Sequence, residues 1–119
     1  MIMVKMLRYN GRIIASKIIY CDNILQKGTG LMFRDKKSVD DTAWVFSFKK
    51  PGRIGVTMMF VFFPIDIIFL DEKNRIIELK ENLRPFQNYT SKAKICKFIE
   101  LQRGIIKKYS IRRGVIKIS

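Results

Sequence analysis

Few side chains in this chain are equipped for chemistry, and the sharpest candidate is an acid set in an apolar run. Asp66 lies two positions after Pro64 inside MMFVFFPIDIIFLD, residues 58–71. A carboxyl in such surroundings must be hydrogen-bonded, paired or strongly shifted in pKa, because water no longer solvates its charge. Arg34 is the natural partner. Two readings follow. In the functional one, an Asp66–Arg34 pair lines a ligand cleft. In the structural one, Asp66 caps backbone N–H groups at a bulge and Arg34 satisfies it. The structural reading is preferred.

Tyr89, Ser91 and Lys92 form a second cluster. Serine and lysine can act as nucleophile and base, but only where desolvation strips the lysine of its proton. This segment is polar, so Lys92 is expected to stay charged, in a solvated loop or an anion contact. Glu78 and Glu81 stand near Asp71 and Glu72. Paired-carboxylate chemistry or a hard-metal site would need them to converge, whereas strand geometry sends residues three apart to opposite faces. Cys21 and Cys96 have neither metal-ligand nor redox spacing and read as buried reduced thiols of a cytoplasmic protein, with a Cys21–Cys96 disulfide as the alternative. The chain holds no histidine. That removes Ser-His and Cys-His nucleophile pairs, histidine metal sites and the one side chain that titrates unaided near neutrality. No catalytic residue, metal or cofactor is expected.

The formal net charge is +14, and it is uneven. From Leu83 to Ser119 the only acid is Glu100, against ten lysines and arginines. Such a segment attracts polyanions, or simply keeps a protein soluble. Lys107, Lys108, Arg112 and Arg113 are the candidate nucleic-acid contacts, with Lys94, Lys97 and Arg103 nearby and Phe86, Tyr89, Phe98 and Tyr109 interleaved. Basic grooves with stacking aromatics bind single strands. Against this, no nucleic-acid motif is present. Phe98 alternates as a core residue would, and Tyr109 falls on the apolar side of its helix.

These residues need elements to position them. With 119 residues, 48% of them hydrophobic, the chain suits one domain, 1–119, with a real core. Excess isoleucine and lysine fit a thermophile, or AT-rich codon usage. The N-terminal stretch is broken by Lys5, Arg8 and Arg12 before a signal peptide's apolar region can form. Residues 54–70 fall short of the roughly 20 apolar residues that span a bilayer, and they contain Pro64 and Asp66.

Ile2 to Tyr9 reads as a strand, Asn10-Gly11 as a hairpin turn and Arg12 to Tyr20 as the return strand. Asp22 is placed to cap a helical turn through Gln26, ended by Gly28 and Gly30, after which Leu31-Met32-Phe33 enters the core. Trp44, Phe46 and Phe48 share one face of a half-buried strand. Residues 50–53 turn. Gly55 to Phe63 reads as a strand apolar on both faces, Pro64 as a strand start, edge or bulge, and Ile65 to Leu70 as a central strand. Residues 71–74 turn into Arg75 to Lys80, and Leu83 to Lys94 is loop-like. Ile95 to Leu101 is a strand, Gln102 to Tyr109 a short helix, and Val115 to Ile118 a last strand. Seven or eight strands with one or two short helices make a β-rich α+β fold. A mostly antiparallel, barrel-like sheet, closed or nearly so, is expected because closure removes open edges.

Two long stretches in the right order resemble the Domain of Unknown Function 192 family. Gly30-Leu31-Met32-Phe33-Arg34 matches its GLMFR signature. Met59 to Asp71 is similar to its central signature in the form typical of archaeal members. Arg75-Ile76-Ile77-Glu78, Glu81-Asn82-Leu83, the Y-x-S-K element at Tyr89, Ser91 and Lys92, and the E-L-x-x-G element at Glu100, Leu101 and Gly104 follow. The likeness covers roughly Lys5 to Ile118. Many bacterial members carry tryptophan, lysine and asparagine before the central proline, where Met58 to Phe63 here offers no polar side chain. The family's closing G-D turn is Gly114-Val115. The resemblance implies a small β-rich α+β domain and no particular reaction.

The leading expectation is therefore a non-enzymatic binding or accessory module for a small ligand or a protein, with a cleft near Arg34 and Asp66. The second is a polyanion-binding protein using its basic C-terminal third. The third is an enzyme with Asp66 as acid or base.

Overall fold

The computed structural model describes residues 4–21 and 30–119. The expected cap at Asp22 and helical turn to Gln26 lie outside the described residues. Ten strands are present among those described: β1 Leu7–Tyr9, β2 Arg12–Ala15, β3 Lys17–Cys21, β4 Thr42–Gly52, β5 Gly55–Thr57, β6 Ile65–Leu70, β7 Ile76–Leu83, β8 Asn88–Thr90, β9 Ile95–Gln102 and β10 Ile116–Ile118. A 3₁₀ turn covers Lys36–Val39, and a single helical turn, α1, covers Ile105–Lys108.

The strands form a five-stranded sheet, β3-β4-β9-β6-β7, a three-stranded sheet, β10-β1-β2, and a separate pair, β5-β8. The barrel expectation is thereby corrected: the sheets are mostly antiparallel but do not close. The chain manages its surfaces by layering instead. The inner strands β4, β9 and β6 are largely buried on both faces, which is why they read as nearly continuous apolar runs, while the outer strands β3 and β7 are partly exposed. One face carries Trp44, Phe46, Phe69 and Phe98, packed with Leu31, Val56, Met58 and Val61. The other carries Val45, Ile68, Ile99 and Leu101, packed with Leu7, Ile14, Ile106 and Ile116. So β4 is buried on both sides rather than half-buried. Its parallel pairing with β3 needs a long crossover, supplied by residues 22–41.

The local signals differ in how well they hold. Asn10 and Gly11 both have positive φ, as the β1-β2 hairpin requires. β6 starts directly after Pro64, and all six of its residues are buried between β7 and β9. The return strand predicted over 12–20 breaks at Ser16, whose N–H donates to Asp41 Oδ1. The long strand predicted over 55–63 ends at Thr57. Beyond it the Val61 N–H donates to the Met58 carbonyl and closes a turn. The predicted loop after Leu83 holds β8, which pairs with β5. Leu31 enters the core as expected, but Phe33 does not: its φ of 59° swings the ring outward.

Candidate functional site

Asp66 and Arg34 do not meet. Successive residues of a strand face opposite sides, and Asp66 is in step with Ile68, on the face that packs against α1. Its Oδ1 accepts from the Asn82 N–H at 2.9 Å, and its Oδ2 accepts from the N–H groups of Gly104 and Ile106 at 3.0 Å each. The β6-β7 register slips between Ile65 and Ile67, where Asn82 takes a φ of 52°. Asp66 is thus the clamp of a β-bulge and of the turn entering α1. The capping half of the structural reading holds, and Arg34 has no part in it. The Arg34 side chain lies on the other face: its Nε donates to the Gly30 carbonyl at 3.0 Å, and its guanidinium stands 4.7 Å above the Trp44 ring.

Ser91 is fully buried and wholly engaged. Its hydroxyl donates to the Ala93 carbonyl and accepts from the Ile54 N–H. Lys92 stays exposed. The anion for this loop comes from the chain itself, because Glu78 accepts from the Tyr89 hydroxyl and from the N–H groups of Lys92 and Ala93. Burial raises the Glu78 pKa, but those bonds outweigh it and leave the carboxyl below its ordinary value. The same bond to Glu78, with burial, pushes Tyr89 up to about 12. Glu78 therefore staples a loop and does not pair with Glu81. Asp71 is likewise taken up by its own turn, accepting from the N–H groups of Lys73 and Arg75 and from Arg75 Nε. Among the described residues no group of side chains is arranged to hold a metal ion. Cys21 and Cys96 are both buried.

The basic candidates of the C-terminal third spread over several surfaces. Lys107 and Lys108 sit on α1, and Lys108 lies over the Tyr109 ring, which Arg12 also covers at 4.6 Å. Arg112 shares a shallow depression with Lys107 and the acid Glu81, and Arg113 is exposed. Phe98 is stacked on Phe46 in the core. Neither Phe98 nor Tyr109 offers a bare face to a base.

The residue that sequence reasoning passed over is Glu100. It stands on β9 opposite Trp44 of β4 and Ile67 of β6, at the centre of the sheet. It is 6% exposed. Among the described residues every fully enclosed side-chain polar atom has a hydrogen-bond partner. The Glu100 carboxyl makes no such bond to the described residues, and it lines a cavity of about 70 Å³ together with Gly30, Leu31, Met32, Val56 and Phe98. Burial alone pushes its pKa up to about 8, so the carboxyl is largely protonated at neutral pH. A neutral carboxyl offers one O–H donor and acceptor capacity to this small space, beside the Phe46 and Phe98 rings. The sequence did contain a signal. Glu100 is in step with Phe98 along its strand, so it had to point where Phe98 points.

No helix among the described residues is long and apolar enough to cross a membrane. The chain is similar to UPF0127 protein PF1050 of the thermophile Pyrococcus furiosus, at 29% identity over 106 residues and 87% of each chain. Two crystal structures share its fold. One is a Sinorhizobium meliloti protein provisionally called a transcription regulator, with TM-score 0.76 and 21% identity over 86% of this chain and 79% of that one. The other is a Novosphingobium aromaticivorans protein of unknown function, with TM-score 0.75 and 21% identity over 86% and 73%. The layered β architecture and the ordered signatures agree with a family match over residues 6–116, and the chain belongs to the Domain of Unknown Function 192 family, described as uncharacterized ACR.

Proposed function

We propose that this chain is a single-domain, non-enzymatic binding module of the cytoplasm, and that its ligand site is the Glu100 cavity under the Gly30–Arg34 turn. One observation carries the reading: a nearly buried glutamate that makes no hydrogen bond to the described residues and opens onto a small cavity. An unsatisfied buried polar group costs about 1–3 kcal/mol, so a ligand that satisfies it recovers that cost on binding. Arg34 belongs to this site through its packing on Trp44, the cross-strand neighbour of Glu100. Asp66 does not, because it faces the other side of the sheet and has its partners there.

The fitting group is small, planar and neutral, with one donor and one acceptor: a primary amide. It would pair with the protonated carboxyl through two hydrogen bonds, flanked by Phe98 and Met32. The buried thiol of Cys96 fits a reducing compartment. The test uses acetamide as probe and follows the Glu100 side-chain carboxyl by carbon NMR. Acetamide should shift that signal, and its affinity should stay level to about pH 8 and fall above it as the carboxyl ionises. An affinity that instead rises through that range, seen with guanidinium or methylammonium, would make the ligand a cation. A signal that no probe moves would overturn the site.

A further inference from the structure

Beyond the Glu100 cavity, we infer that the chain carries a second binding surface, a rigid phenylalanine platform that stacks the bases of single-stranded nucleic acid. Phe33, Phe60, Phe62 and Phe86 are 71%, 41%, 59% and 58% exposed. They nevertheless touch in series. The Phe33 and Phe60 rings stack at 4.9 Å, Phe60 meets Phe86 edge-on at 6.3 Å, and Phe86 meets Phe62 edge-on at 5.8 Å. At about 200 Å² per phenylalanine the four residues expose roughly 400–500 Å² between them, the size of the largest patch on an ordinary monomer.

The backbone beneath the rings is the second observation. Three four-residue turns present them, closed by N–H···O=C bonds from Arg34 to Leu31, Val61 to Met58 and Gln87 to Arg84. Phe33, Phe60 and Phe86 each occupy the third position of its turn, with φ of 59°, 58° and 63°. That position calls for glycine or asparagine. Five other non-glycine residues with positive φ are Asn10, Asp41, Asn74, Asn82 and Ser110, mostly types that tolerate it. Only the phenylalanines are bulky, and all three meet in one patch. Further bonds, from Phe33 N–H to the Phe60 carbonyl and from Phe86 N–H to the Met58 carbonyl, lock the turns to one another. Strain of this kind persists where a surface is held for use.

Charge selects the occupant. Phe62 forms one wall of a cleft of about 390 Å³ whose lining includes Lys36, Gln102 and Arg103 and no acid. Arg84 opens the turn that presents Phe86, and the chain as a whole is +14. A stacking face beside a cationic cleft matches base and phosphate of one nucleotide. An anionic lipid surface would also be attracted, but phenylalanine enters such surfaces mainly from the apolar face of an amphipathic helix, with tryptophan and tyrosine at the interface. Here the lone tryptophan is buried, and the locked turns present flat ring faces.

The experiment measures binding of a fluorescein-labelled ten-nucleotide oligouridylate and of a duplex DNA over a salt series. The variants are Phe33→Gly and Phe86→Gly, which remove a ring at positions whose backbone suits glycine, and Arg103→Ala. Circular dichroism and melting confirm that each variant folds. Each ring deletion should weaken single-strand binding at least tenfold without changing the salt slope, because stacking releases no counterions. Arg103→Ala should reduce that slope by about one. Three results would overturn the inference: ring variants that bind like the wild type, duplex bound as tightly as the single strand, or ring-dependent binding to phosphatidylserine vesicles with none to the oligonucleotide.

Discussion

Replacing Glu100 by glutamine tests the site through stability alone, with no ligand. Burial raises the folded-state pKa from 4.5 to about 8, while the unfolded chain returns the carboxyl to water and its ordinary value. Below about pH 4.5 both states are protonated and the carboxyl costs nothing beyond its missing partner. Between there and pH 8 the unfolded state ionises and the folded state does not, so folding must take up a proton and stability falls as pH rises. The full swing is 2.303RT times the gap between the two values, or roughly 5 kcal/mol, most of it lost by pH 8. That is a third or more of the stability of an ordinary domain. Glutamine keeps the shape and cannot ionise. Guanidinium titrations of the two proteins from pH 5 to pH 9 should therefore diverge steadily. They should be similar at pH 5, with Glu100→Gln more stable by several kcal/mol at pH 9. Other titrating groups cancel in the difference. A difference that stays flat over that range would mean the carboxyl is solvated or paired, and both the cavity argument and its ligand would fall with it.

Two further outcomes follow from the other carboxyls. Asp66→Ala should cost about 3–5 kcal/mol, because it strands three backbone N–H groups at a bulge and a helix entry; an unchanged melting temperature would show that Asp66 is not a clamp. Glu78 has its folded pKa lowered, so its contribution is present above its ordinary value and is lost as pH falls through the folded one. Glu78→Gln should cost about 1–2 kcal/mol at pH 7 and flatten the acid limb of the stability curve. Hydrogen exchange at Lys92 and Ala93 should speed up in the same variant, and unchanged exchange there would refute the staple.

Much of the fold was legible because its signals are local. Asn10-Gly11 dictates a hairpin, Pro64 ends a loop and starts a strand, and Ile65 to Leu70 can only be a central strand. The errors were non-local. Apolar strands without gaps suggested a closed barrel, but two cover layers bury a sheet as completely as closure does. The turn at Met58 was invisible because Phe60 fills the place where glycine would have announced it. Arg34 and Asp66 looked like partners by charge, yet the parity of β6 puts the sheet between them. Parity would also have found Glu100, had the acid been read as part of the Phe98 face rather than as the lone negative charge of a basic segment.

The Gly30–Arg34 signature serves both proposed sites, and the geometry of its turn explains how. Leu31 and Met32 turn inward and roof the Glu100 cavity, while the positive φ at Phe33 sends the next side chain out onto the platform. Adjacent residues in an ordinary strand would also face apart, but a strand would continue and bury its next residue. The turn stops there, held by Arg34, whose N–H reaches back to Leu31 and whose guanidinium sits over Trp44. The two sites thus share backbone and no side chain. Phe33→Gly relaxes that backbone without withdrawing Leu31 or Met32, so the loss of stacking and the integrity of the cavity are separable. If removing the Phe33 ring abolished acetamide binding at Glu100 as well, platform and cavity would be one site, and the ligand would have to be large enough to span both.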